Sequence, residues 1–87
     1  MSMDFKIYFE QVHPEFLTRV KEAHPVLTQT DLRLCAFLSL GMPTKEIAAL
    51  IHREVRSVES SRLRLRRKLE LPGDMSLFDY LQGFMRT

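Results

Sequence analysis

Apolar residues recur at three- and four-residue intervals through most of this chain, the period of helices that turn one face inward. In the opening stretch Phe5, Phe9 and Val12 fall at i, i+4 and i+7. Pro14 suits the first turn of a second helix, where its fixed φ and missing N–H cost nothing. Phe16, Leu17, Val20 and Ala23 continue the stripe. His24 precedes Pro25, and a residue before proline is pushed out of the α region, so this helix closes there. Thr28 followed by Asp31 has capping-box spacing and opens "QTDLRLCAFLSL", which is apolar nearly all round and therefore the central, most buried element. Gly41 supplies its left-handed end. Met42 before Pro43 is expected to be extended, and Thr44 to cap "KEIAALI" with Ile47, Ala48, Leu50 and Ile51 facing inward. After a break at "LPGD", Ser76 and Asp79 repeat the capping spacing before a last helix over about 76–85, with Leu77, Leu81 and Phe84 on one side. The expectation is an all-α fold, a small helical bundle.

One stretch breaks the pattern. In "SVESSRLRLRRKLEL", residues 57–71, Arg62, Leu63, Arg64 and Leu65 alternate with period two, as a half-buried strand would. Three consecutive bases and two serines spoil that alternation on either side. At ~100° per residue with Val58 at zero, Leu65 falls near ~340° and Leu69 near ~20°, one narrow apolar face. Arg56, Ser60, Leu63 and Arg67 lie opposite, with Glu59 and Arg64 on the flanks. Arg62 borders the inner face, its head within reach of a phosphate or of Glu46. A membrane-surface helix needs a wide apolar arc with aromatics, which this face lacks. A core-packed helix with a basic outer side fits.

Charge sharpens the picture. Residues 53–68 hold seven of the thirteen Lys/Arg (Arg53, Arg56, Arg62, Arg64, Arg66, Arg67, Lys68) against Glu54 and Glu59, a local +5. The rest carries six bases and nine acids, −3. A weakly acidic body with one basic element points to a polyanionic partner on one face. Eighty-seven residues make one small domain without room for a large cleft. No uncharged apolar run approaches ~18 residues and no signal-like leader is evident, so the expectation is a cytoplasmic protein with no membrane partner. Cys35 is the single cysteine and reads as a buried small apolar side chain. His13, His24 and His52 have no companions at ligand spacing, so no metal is expected. Paired carboxylates, a Ser-His-Asp order and Gly-rich phosphate loops are absent, so no enzyme, cofactor or small-molecule ligand is expected.

Two short helices joined by a tight turn, the second basic and polar outward, follow the helix-turn-helix plan. The first props the second, whose outer face fits a major groove ~12 Å wide. "LTQTDLRLCAFLSLGMPTKEIAALIHREVRSVESSRLRLRRKLEL" resembles the LuxR-type helix-turn-helix of bacterial transcription regulators. The matches are Leu27-Thr28, Gly41, Lys45-Glu46-Ile47-Ala48, Ser57-Val58, Leu65 and Lys68-Leu69, over residues 27–71. The preceding "FEQVHPEFLTRVKEAHP" is similar to the lead-in of a Bacteroidetes-type subgroup whose module ends a longer regulator. On this plan residues 1–25 are a helical lead-in and 26–87 the helix-turn-helix domain with its C-terminal helix, packed together as one domain.

The resemblance implies duplex DNA as partner, bound by Arg56, Ser57, Glu59, Ser60, Leu63, Arg64 and Arg67, with Thr44 and Lys45 toward phosphate at a helix N-terminus. It also implies a homodimer through the last helix, where Leu77, Phe78, Leu81, Phe84 and Met85 exceed one core-facing stripe; packing on the first two helices is the alternative. Departures from the pattern are Asp31 for Glu, Arg53-Glu54 for the Ile-Ser of the turn, Ser61 for His, and Glu59 where Lys is common. These put the tightness of the turn and the start of the second helix in question. Glu59 would repel phosphate and accept from cytosine N4. Two rivals stand beside this reading. One is a sigma-factor region-4-like module with RNA polymerase as an added partner. The other is a helical interaction or dimerisation module without DNA binding.

Overall fold

The computed structural model describes the backbone from residue 5 to 85 and side chains from residue 7 onward. The described residues form six helices and no strand: α1 Phe5–Val12, α2 Phe16–Ala23, α3 Gln29–Ser39, α4 Thr44–Ile51, α5 Val55–Lys68 and α6 Leu77–Gln82. The all-α expectation holds. α3 is the centre, packed by α2 and α6, while α4 packs on α5. Seven of its eleven residues are buried, Leu32, Leu34 and the run from Cys35 to Ser39.

Local chemistry explains where α3 starts. Thr28 N–H donates to Asp31 Oδ2 (2.9 Å) and Asp31 N–H donates to Thr28 Oγ1 (3.1 Å), so both partners of the capping box are satisfied. Such a cap contributes about 1 kcal/mol.

Three helices end alike, each on a left-handed residue: Gly41 (φ 76°), His52 (φ 58°) and Glu70 (φ 56°). In each the following N–H reaches back five residues. Met42 N–H donates to Phe37 O, Arg53 N–H to Ala48 O and Leu71 N–H to Arg66 O. That reversal satisfies carbonyls a helix end would otherwise leave open.

The core runs from Phe9, Phe16 and Val20 through Cys35 and Phe37 to Ile47, Val58, Leu65, Leu77 and Leu81. Phe9 and Phe16 meet edge to face, ring centres 5.4 Å apart, which joins α1 to α2. Burial, with a smaller push from Asp31, raises the Cys35 thiol to about 12, so it carries no reactive thiolate near neutrality. Polar ties complete the bundle. Gln82 Nε2 donates to Ser39 O at 2.6 Å, and His24 Nε2 and Tyr80 Oη share a hydrogen bond at 2.6 Å. Burial, then Cys35, raises the Tyr80 phenol above its usual value.

Several local expectations are corrected. Pro14 lies in the 13–15 turn, and α2 begins at Phe16 behind Glu15, which makes no side-chain cap. Val12 is half exposed because α1 ends there and the chain turns away, and Ala23 is exposed at the end of α2. The Phe5 side chain lies outside the described residues. Thr44 is the first residue of α4, not its cap; Pro43 takes the cap position with extended backbone and has no side-chain donor or acceptor to offer. Leu50 is 53% exposed. The inward face of α4 centres between Ile47 and Ala48, which leaves Leu50 about 110° away at ~100° per residue. Finally, α6 stops at Gln82, with Gly83 to Met85 in turns beyond it.

Candidate nucleic-acid interface

The basic element is α5, and its entry is fixed by the turn at residues 52–54. His52 takes the left-handed conformation, and Arg53 N–H closes the reversal on Ala48 O at 2.9 Å. Glu54 then caps α5 with extended backbone and no side-chain bond, its carbonyl accepting from Ser57 and Val58 N–H. With Arg53-Glu54 at these positions the turn is closed and α5 starts at Val55. The Arg53 side chain does not plug the core; it is exposed.

The faces of α5 separate as its helical phase requires. Val58, Leu65 and Leu69 are 2%, 0% and 4% exposed and hold the helix to the body. Arg56, Glu59, Ser60, Leu63, Arg64 and Arg67 are all exposed on the other side, with Leu63 at 58%. Ser57 and Arg62 are half-buried on the flanks. Arg62 makes no ion pair with Glu46; among the described residues the ion pairs are Arg19–Glu15 and Lys68–Asp31. Thr44, half-buried, and Lys45, exposed, stand at the start of α4, on a different element from the other seven. The structure thus gathers six of the nine expected residues on one solvent face, with Ser57 at its edge.

Two of the seven bases in residues 53–68 are engaged within the fold. Arg66 donates from Nη1 to Met75 O (2.7 Å) and from Nη2 to Pro72 O (2.8 Å), clamping the loop between α5 and α6. Lys68 Nζ lies 2.6 Å from Asp31 Oδ2. Arg66 keeps its charge but is turned to the loop, and Lys68 is offset by Asp31. The bases free to face outward are Arg53, Arg56, Arg62, Arg64 and Arg67, against Glu54 and Glu59. Burial would raise the Asp31 carboxyl, but hydrogen bonds from Lys68 and Thr28 outweigh it and lower its pKa. It is therefore ionised and paired at neutral pH.

The last helix departs from expectation. Leu77 and Leu81 are 2% and 0% exposed inside the protomer, so neither is available to a second copy. α6 lies chiefly on α3, and that packing consumes them. Phe84 and Met85 pack partly buried against the core, and Tyr80 and Phe84 meet edge to face at 5.4 Å. Only Phe78 of the five expected contact residues is exposed.

Each histidine has a local structural place: His13 against the Phe9 ring, His24 against Tyr80, His52 at the end of α4. No cluster of three metal-binding side chains occurs among the described residues. No helix among them is long and apolar enough to cross a membrane. Compared with known protein families, characterised proteins and solved structures, the chain matches none.

Proposed function

We propose that this chain binds duplex DNA as a helix-turn-helix output domain of a transcription regulator, α5 entering the major groove and α4 bracing it. The observation that carries this is the division of α5 into an anchored and a free side. Val58, Leu65 and Leu69 are buried, whereas Arg56 and Arg67 are exposed and their guanidiniums bond no other described residue. Arg64 donates only to Ser61 Oγ, one turn away on the same helix. Unpaired guanidiniums on a rigid helix supply phosphate affinity; the Ser60 hydroxyl and the Leu63 side chain between them supply contacts to base edges. The closed turn at 52–54 supports a fixed angle between α4 and α5. The LuxR-type resemblance over residues 27–71 agrees with this arrangement, the Arg53-Glu54 substitution being accommodated without loss of the turn.

A single copy with so few phosphate contacts would bind in the ~10⁻⁴–10⁻⁶ M range at physiological salt, so two copies on adjacent half-sites are the working form. Phe78, with the part-exposed Phe84 and Met85, is the apolar surface on which they would meet. Fluorescence polarisation of a labelled duplex at two salt concentrations tests the proposal. Binding must weaken steeply as salt rises, and a chain that never shifts the duplex at low salt refutes it. One observation favours a second reading, a protein-interaction module. Leu63, more than half exposed, stands beside Glu59 on the same outer face. That module would show no shift at any salt. A sigma-factor-like role would add RNA polymerase as a partner through the same helix.

A further inference from the structure

We infer that the groove between α3 and α5 holds the sugar-phosphate backbone that flanks α5 on the duplex, so that Arg33 and Arg53 extend the interface beyond that helix. This rests on the DNA-binding reading above. The groove encloses about 300 Å³ and is walled by Arg33 from α3, Arg53 from the turn and Arg64 from α5, with Ser57 and Ser61 between them. All three arginines are exposed. They come from three separate segments, so no charge run in the sequence announces the cluster.

The chemistry of the groove favours phosphate. Leu34, Phe37 and Val58 lie beneath it, but each is less than a tenth exposed. What faces solvent is guanidinium and hydroxyl, groups that recognise phosphate oxygens, beside a comparable apolar area to which half-buried Ile51 of α4 contributes. The three guanidiniums on the rim are what favour a phosphate backbone. Two rim arginines are also held. The Arg33 guanidinium lies over the Phe37 ring at 5.8 Å, and Arg64 Nη2 donates to Ser61 Oγ at 3.2 Å. The carboxylate in the lining, Asp31, already accepts from Lys68 and Thr28 and so opposes an anion little. Small side chains at 57 and 61 keep the space between α3 and α5 open. Arg64 belongs both to the outer face of α5 and to the groove wall, which makes the two surfaces continuous.

The test is polarisation titration of the full chain on several labelled duplexes across a salt series, with circular dichroism to confirm folding. Arg33→Gln and Arg53→Gln keep the side-chain stems and remove the charges. Each should bind roughly threefold to tenfold more weakly on every duplex and flatten the slope of log K against log salt by about 1. Arg33→Lys should restore most of the affinity. If both Gln variants keep wild-type affinity and slope while Arg56→Ala and Arg67→Ala weaken binding, the groove lies off the DNA and the inference fails alone. If the wild-type chain binds no duplex at low salt, the parent reading fails with it. If amide signals of the groove shift with poly-glutamate and not with duplex, the groove is a protein site and the inference is overturned.

Discussion

Lys68 Nζ meets Asp31 Oδ2 at 2.6 Å, joining the last turn of α5 to the first turn of α3 across 37 residues of chain. The same carboxylate oxygen accepts Thr28 N–H, so one atom both caps the central helix and fixes the far end of the basic one. Because these bonds hold the folded-state pKa of Asp31 below its ordinary value, the pair stabilises the fold above an unfolded pKa of about 3.9. That contribution disappears as pH falls from about 4 through the lower folded value. Urea unfolding at pH 7 should therefore show Asp31→Ala destabilised by about 1–3 kcal/mol, and the gap to wild type should close in strong acid. A gap that stays constant down to pH 2 would show that the carboxylate's charge plays no part.

Neighbouring arginines in α5 have opposite duties. Arg66 holds two loop carbonyls, whereas Arg67 projects into solvent. Arg66→Ala should lose about 1–2 kcal/mol in urea unfolding and leave the salt slope of DNA binding unchanged. Arg67→Ala should change stability by less than about 0.5 kcal/mol and flatten that slope. Exchanged phenotypes would reverse the assignment of the two faces.

What the sequence made legible was local. The Thr28–Asp31 box and the Val58, Leu65, Leu69 face follow from spacing alone, and both stand in the structure. What escaped depends on how distant segments meet. Nothing within residues 57–71 marks Lys68 as the partner of Asp31 or Arg66 as the clamp on the loop at 72–75. Arg33 is hidden for the same reason, a lone base in an apolar run that joins Arg53 and Arg64 only once α3 and α5 are packed. Leu77 and Leu81 were expected at a dimer contact because helical phase counts apolar residues, not the neighbours that cover them. Thr44 shows the limit at single-residue scale: Pro43 and Thr44 both suit a helix start, and the extended conformation before the first turn went to the proline.

The left-handed residues make a separate, purely conformational test. His52 and Glu70 carry a side chain where glycine is favoured, whereas Gly41 does not. Glu70, exposed at the end of α5, should gain about 0.5–1 kcal/mol on replacement by Gly. Gly41→Ala should lose about 1 kcal/mol. Its new Cβ would sit 3.6 Å from Phe78 Cε1, an ordinary contact, so the loss is backbone strain rather than a clash. Thermal melts of the two variants should move in opposite directions; a shared direction would exclude this account.

If α5 binds DNA as proposed, Ser60 and Leu63 separate base reading from phosphate holding. Both are exposed on the outer face between arginines, and neither carries charge. Removing the Leu63 side chain should alter folding stability by less than about 0.5 kcal/mol, since it is more than half exposed and lies outside the buried core. On duplex DNA, Leu63→Ala should leave the salt slope intact yet change the ranking among sequences, the affected sites being those where a thymine methyl is replaced by cytosine. Ser60→Ala should shift a different position of the site, because the two residues lie three apart and meet successive base pairs. Arg64→Ala and Arg67→Ala should instead weaken every duplex alike. Binding selections on a randomised half-site, run for all four variants, read this out directly. Should Leu63→Ala leave the selected sequence untouched and abolish self-association in sedimentation, Leu63 is a protein contact and the outer face of α5 serves a partner other than DNA.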